Sequence, residues 1–417
     1  MKVLHISSSD ISGGAARGAY WLHQALLQGG VDSRMFVADK RTHDEPVIAC
    51  QDWSEVFRRR EALDAQVRAS FPNRKDVYFS PASFTPDSIA EQINRLEPDI
   101  INLHWVAGGL LMPEVIPHLR GRLVWTLRDM WPFTGGCHYS EGCQGYVESC
   151  GACPLLKSEQ PLDVTRSLWQ RKHDSWKSTA LHLVAVSRWM ASCAEASSLF
   201  RGRPIEVIHN GISMEIFTPR GKEEARKLLE IPPHKKIILF GALSAATDTR
   251  KGFHYLQAAL KHLGQEKALK DTELLIFGAS RSDLKCEDYL PTRYLGSIQD
   301  DLMLSRIYSA ADVTVAPSLE DACPKVPIES MACGTPVACF DATGMIDIVD
   351  HRGNGYRARA YVPEDLALGI EWILQDPARW QSLSKKARQK VETGFSRTIQ
   401  AKKYTQLYQK ILSGKAD

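Results

Sequence analysis

Asp312-Val313-Thr314-Val315-Ala316, followed by Pro317-Ser318-Leu319-Glu320-Asp321-Ala322-Cys323-Pro324-Lys325-Val326-Pro327-Ile328-Glu329, is the stretch that decides the fold. Its opening residues read as a short, buried, β-branched strand. Pro327 suits the first turn of a helix and Gly334 its C-terminal cap. Pro336-Val337-Ala338-Cys339-Phe340 then begins another strand. Two carboxylates, Asp321 and Glu329, are thereby placed at the carboxyl edge of a strand and in the first turn of the next helix. Open α/β sheets bind ligands at that edge, and a helix start offers N–H groups and partial positive charge to a phosphate. The pattern fits a ligand carrying both hydroxyls and phosphates.

The same alternation extends along the chain. Val3–Ser7, Ser33–Ala38, Asp99–His104, Leu123–Leu127 and His182–Ser187 read as strands, and Ala15–Leu27 as a helix closed by Gly29-Gly30. Ile205–Ile208, Ile237–Phe240, Leu274–Phe277, Val313–Ala316 and Val337–Phe340 make a second series. Strands alternating with helices predict an α/β protein with two doubly wound parallel sheets. Residues 1–202 are expected to form the first domain and 203–395 the second, divided at Arg201-Gly202-Arg203-Pro204. The remainder, 396–417, is expected to form a terminal helix docking on the first domain through Ile399, Tyr404, Leu407, Tyr408 and Leu412.

Bulk properties narrow the function. A length of 417 residues exceeds one ordinary core. A net charge of +3 on that length gives no argument for nucleic acid. Met1–Ser7 is too short an apolar run for a signal peptide, and no stretch has the roughly 18 apolar residues of a membrane span. These features predict a cytoplasmic protein with reduced thiols.

Further motifs carry candidate chemistry. Gly13-Gly14-Ala15-Ala16 follows the first strand and opens a helix, where small residues allow a ligand close to the backbone. It lacks the third glycine of the dinucleotide fingerprint. Arg250-Lys251-Gly252 follows the strand ending at Gly241, and its cations could clamp a diphosphate or merely decorate a loop. His209-Asn210-Gly211 reads as a tight turn and hinge. His104, after its strand, is a candidate cleft residue or a satisfied core histidine. Cys137, Cys143, Cys150 and Cys153 form a Cys-x5-Cys-x6-Cys-x2-Cys cluster, a candidate structural zinc site. An iron–sulfur cluster and free or paired thiols are the alternatives. Arg58-Arg59-Arg60, Arg68 and Arg74-Lys75 surround Val56, Leu63, Val67 and Phe71 on a predicted helix. That helix is either a solvated face or a peripheral contact with the inner membrane surface.

The series Val207-Ile208-His209-Asn210-Gly211-Ile212, Phe217-Thr218-Pro219, Phe240-Gly241, Arg250-Lys251-Gly252, Phe277-Gly278, Gly296, Pro317-Ser318 and Glu329-Ser330-Met331-Ala332-Cys333-Gly334-Thr335-Pro336-Val337 resembles the retaining glycosyltransferases of family 4. The first half resembles them more loosely, through Gly13-Gly14, Leu103-His104-Trp105 and Thr126–Trp131. The segment Thr126–Tyr139 is similar to bacterial surface-polysaccharide transferases of that family.

The resemblance implies the GT-B architecture, two Rossmann-like domains facing a cleft, and a nucleoside-diphosphate sugar donor serving a glycan, glycolipid or small-molecule acceptor. By matched position, Glu329 would hold the ribose hydroxyls and Asp321 the donor sugar. Arg250 and Lys251 would neutralise the diphosphate. The backbone of Ala322, Cys323, Pro324 and Lys325 would line the sugar pocket, with Gly14 near the transferred group. Three positions depart from the family pattern: Asp321 replaces Glu, Ala242 stands for Arg, and Arg128 stands for His before Asp129. Arg cannot serve as a base near neutral pH, which leaves any titrating role to His104 or His138. No Asp-x-Asp occurs, so donor binding is expected to be metal-independent and catalysis to need no cofactor. Retention without a carboxylate nucleophile would suit a front-face reaction in which the departing phosphate takes the acceptor's proton. A nucleotide-sugar epimerase of the same fold and a nucleotide-sugar-binding protein without turnover are the alternatives.

Overall fold

Among the described residues of the computed structural model, thirteen strands form two separate parallel sheets. The structure describes residues 1–414 apart from 52, 242–247, 266–270 and 285–288. Ala242, the departure noted above, lies outside the described residues.

The first sheet contains β1 (Lys2–Ser9), β2 (Asp32–Asp39), β3 (Val47–Ala49), β4 (Ile100–Leu103), β5 (Arg122–Leu127), β6 (Leu181–Ala185) and β7 (Ile205–Val207). Their spatial order is β3-β2-β1-β4-β5-β6-β7. The second contains β8 (Lys236–Gly241), β9 (Thr272–Phe277), β10 (Thr292–Tyr294), β11 (Val313–Ala316), β12 (Val337–Phe340) and β13 (Gly355–Ala358), in the order β10-β9-β8-β11-β12-β13. Both orders run outward in opposite directions from a central pair. In such sheets the loops after that pair diverge and leave a crevice at the switch point. The pairs here are β1/β4 and β8/β11, registered Val3 with Ile100 and Val313 with Ile238. Each is buried on both faces, which explains the unbroken apolar runs in the sequence.

Helix Gly13–Gln28 packs through Ala16, Ala19, Leu22 and Leu26, three or four residues apart, and ends as Gly30 turns to φ +76°. The second core gathers Ile238, Phe240, Leu256, Leu260, Val315 and Phe340.

Two compact units result, Met1–Gly211 with Gln400 onward, and Ile212–Ile399. The expected boundary at residue 202 is corrected here. Ile205–Val207 opens no second domain; β7 pairs with β6, Leu183 opposite Ile205, and closes the first sheet. A short apolar run has no signature for which sheet it joins. Helix Arg397–Leu412 inserts Tyr404, Leu407, Tyr408 and Ile411 into the first core beside Val3, Leu22 and Ile100. Two of its tyrosines also bond sheet residues. Tyr408 Oη accepts from Asn102 Nδ2 at 2.7 Å, and Tyr404 Oη meets Thr126 Oγ1 at 2.9 Å.

The predicted basic amphipathic helix is Trp53–Ala69. Of the expected apolar face only Val56 is buried, joined by Asp64, and Arg60 turns inward to donate to the Gly108 carbonyl. Among the described residues no helix is long and apolar enough to cross a membrane.

Candidate functional site

The second unit's switch point collects most of the residues expected to bind the donor. Gly241 ends β8, where a Cβ would lie 1.9 Å from the Phe277 ring, so no side chain fits there. Arg250 and Lys251 follow in the turn Thr249–Lys251. Ser318–Pro324 leave the neighbouring β11. The two loops are bonded together. Leu319 N–H donates to the Arg250 carbonyl at 2.7 Å, Arg250 Nη1 to the Glu320 carbonyl at 3.0 Å, and Lys251 Nζ to Asp321 Oδ2 at 2.7 Å. Arg250 also grips Asp248, Nη2 to Oδ2 at 2.6 Å. The two cations expected to clamp a diphosphate are thus each held by a carboxylate, Arg250 by Asp248 and Lys251 by Asp321.

Gly252 makes this joint possible. It sits at φ +71°, and a Cβ there would lie 1.9 Å from the Pro317 carbonyl oxygen. Gly252→Ala is expected to destabilise the second unit by at least about 2 kcal/mol and to displace both cations. Thermal unfolding checks this, and an unchanged melting temperature would contradict it.

Helix Lys325–Ala332 follows the loop, with Pro324 as its N-cap. Pro324 and Pro327 carry no N–H, so the first-turn donors are those of Lys325 and Val326. Glu329 lies in the second turn rather than the first, because the helix starts two residues before Pro327. Glu329 is 5% exposed, and its Oε2 accepts from Tyr308 Oη at 2.9 Å. Burial, then the charge of Glu329, raises the Tyr308 pKa far above the usual phenol value, so the tyrosine stays a donor. Tyr308 escaped the sequence reading because it shares a helical face with Leu304 and Ile307 and reads as core. Asp248 was missed too; an acid two residues before Arg250 has no distinguishing pattern.

At the first unit's switch point, Gly13 and Gly14 open the helix after β1, and a Cβ on either would meet nothing within 4 Å. His104 follows β4 and leads a buried chain. Arg128 Nε–H donates to His104 Nδ1 at 3.2 Å, and the remaining His104 proton on Nε2 bridges to His5 Nδ1 at 2.9 Å. Arg128 Nη1 reaches Asn210 Oδ1 at 2.6 Å, so the residue read as a turn former holds a cation. Gly18 leaves room for this arginine; its Cβ would lie 2.5 Å from Arg128 Nη1. His104 has both nitrogens engaged and a pKa well below the usual value, chiefly through burial and then through Arg128. Asp129 accepts from Trp131 N–H at 3.0 Å and meets His138 Nδ1 at 2.6 Å, while His138 Nε2 meets Ser80 Oγ at 2.9 Å.

The histidine chain makes stability pH-dependent. Burial also lowers His5, well below its ordinary value, and His23, to about 4 despite the opposing charge of Asp44. In the unfolded chain these imidazoles protonate near pH 6.5. The unfolded state thus binds more protons as pH falls, and stability drops from about pH 6.5 downward. His23 alone accounts for roughly 3 kcal/mol by pH 4, with no loss above pH 7. Thermal unfolding from pH 7.5 to 4.5 should show a steady fall; a flat profile would contradict it.

Residues 12–216 match the family described as Glycosyltransferase Family 4, and residues 221–390 match Glycosyl transferases group 1. The D-inositol 3-phosphate glycosyltransferase of Thermobispora bispora is 28% identical over 318 residues, 70% of this chain and 70% of that protein. The putative colanic acid biosynthesis glycosyl transferase WcaC of Escherichia coli is 27% identical over 227 residues, 51% of this chain and 55% of its own length. Among solved structures, Anabaena Alr3699/HepE in complex with UDP-glucose superposes with a TM-score of 0.67 at 16% identity, covering 99% of this chain and 100% of that one. The last likeness shows the fold, two parallel-sheet Rossmann-like domains of the GT-B kind.

Proposed function

Because the chain belongs to the glycosyltransferases of family 4 and group 1, we propose that it moves a sugar, with retention and without a metal, from a nucleoside-diphosphate sugar to an acceptor of surface polysaccharide or glycolipid assembly. One observation carries this reading: Arg250, Lys251, Asp321 and the helix of Glu329 converge after the central strands of the second sheet. A departing diphosphate needs positive charge as the glycosidic bond breaks. Arg250 offers a planar fork and Lys251 a point charge, fixed beforehand by Asp248 and Asp321. When the diphosphate takes Lys251, the Asp321 carboxylate is released toward sugar hydroxyls. Glu329, buried and oriented by Tyr308, takes the ribose hydroxyls. Anabaena HepE holds UDP-glucose on the same fold, which supports a nucleotide-sugar donor.

The likeness to WcaC, a putative colanic acid biosynthesis transferase, favours a polysaccharide acceptor, while that to the inositol phosphate enzyme keeps a small-molecule acceptor in view. The exposed Arg58, Arg59 and Phe57 suit an acceptor carried on an anionic lipid surface.

Incubating the protein with UDP- and GDP-sugars and an acceptor panel tests the reading. The expected result is acceptor-dependent release of nucleoside diphosphate, α-linked product from an α-linked donor, and a rate indifferent to added Mg²⁺ or Mn²⁺. An epimerised donor without transfer, or binding without turnover, would replace this reading by one of the two alternatives.

A further inference from the structure

Cys137, Cys143, Cys150 and Cys153 line one cavity of about 20 Å³ together with Gly135, Gly145 and Tyr146. No disulfide joins them. Each sulfur lies within electrostatic reach of the other three. Backbone amides are aimed at three of them: Gly135 N–H at Cys150 Sγ (3.1 Å), Gly145 N–H at Cys143 Sγ (3.3 Å), and the Leu155 and Leu156 amides at Cys153. A neutral thiol is a weak acceptor, whereas a thiolate is a strong one.

The surrounding chain needs a staple. Between Thr134 and Asp163 the only regular element is the short 3₁₀ turn Gly145–Val147. Cys150 and Ala152 stand at φ +53° and +44°, and Lys157 at +51°. Such non-glycine conformations persist only where surrounding structure enforces them.

Lys172 is fully buried, and among the described residues no carboxylate lies within ion-pair distance of it. Its ammonium donates to the carbonyls of Trp131 and Thr134 and sits 3.7 Å above the Trp131 ring. Burial lowers the Lys172 pKa to about 7; a zinc tetrathiolate, a net dianion, would supply a counter-charge beside it.

We propose that Cys137, Cys143, Cys150 and Cys153 bind one zinc ion as a tetrathiolate that holds segment 134–163 in its fold, with Lys172 as the buried counter-ion. Four S–H bonds give way to four Zn–S bonds, and the protons leave to solvent. Among the described residues no group of three His, Cys, Asp or Glu side chains already stands in coordinating position. Binding therefore turns the thiols into the cavity to reach Zn–S bonds of about 2.3 Å.

Elemental analysis of the full-length protein, purified from zinc-supplemented cells, should give about one zinc per chain. Titration with an organomercurial should release that zinc in step with modification of the four thiols. Cobalt substitution should give the absorption of tetrahedral cobalt thiolate. Hydrogen exchange across 134–163 should rise on zinc removal while that of the second unit stays unchanged. Cys150→Ser and Cys153→Ser should lose the metal, and should either variant fail to fold, the wild-type titration still decides. Metal-free reduced protein that refuses zinc, an iron chromophore, or disulfides among these four cysteines would each overturn the assignment.

Discussion

Glu329→Gln is expected to weaken nucleotide-sugar binding about 100-fold, roughly 2.7 kcal/mol, and to lower transfer at least as much. The substitution keeps the shape of the side chain and leaves an oxygen to accept from Tyr308, so the melting temperature should stay within a few degrees of wild type. What it removes is the negative charge that makes a strong acceptor for two adjacent hydroxyls. The companion Tyr308→Phe leaves the carboxylate in place but unfastened on that side; its expected loss is smaller, about tenfold. Calorimetric titration with the preferred donor reads both. Equal affinity of wild type and Glu329→Gln would remove the ribose assignment.

Lys251→Met should lower kcat/KM by about 10²–10³, the range seen when a donor to developing negative charge is removed. The same change breaks the ion pair with Asp321, whose partners are 25% and 13% exposed at the side chain. A carboxylate left so covered without its cation should cost about 1–3 kcal/mol of stability. The two effects separate in a double variant. Lys251→Met with Asp321→Asn should regain most of the stability, since neither charge remains, and none of the activity. Recovery of both together would mean that Lys251 acts only through the fold.

Much of this was legible in the sequence because buried parallel strands leave unbroken apolar runs. β1, β4, β8, β11 and β12 were all anticipated within one or two residues. β3, β10 and β13 were not. They are edge strands of three or four residues, and Thr292-Arg293-Tyr294 carries no apolar run because one side of it lacks a neighbour. The placement of Ile205–Val207 depended on pairing across the chain, which local pattern does not encode.

Within the site, the motifs gave residue types and chain positions but not partners. Arg250, Lys251 and Asp321 were each expected at ligand, yet sequence could not reveal that the cations would be held by Asp248 and Asp321 before any ligand arrives. His104 looked like a titrating group by type alone; its full burial lowers its pKa, and both its nitrogens are bonded, to Arg128 and to His5. Asn210 belongs to a turn motif, and its role in holding Arg128 emerges only from the return of the chain to the first sheet.

We propose the second unit's switch point as a diphosphate-and-ribose site. Crystals of the protein with UDP- and GDP-sugars test it most directly. Diphosphate oxygens are expected within hydrogen-bond distance of Arg250 and Lys251, ribose hydroxyls on Glu329, and Asp321 released from Lys251. A nucleotide lying elsewhere, or a diphosphate bridged by a metal with the Lys251–Asp321 pair intact, would contradict it.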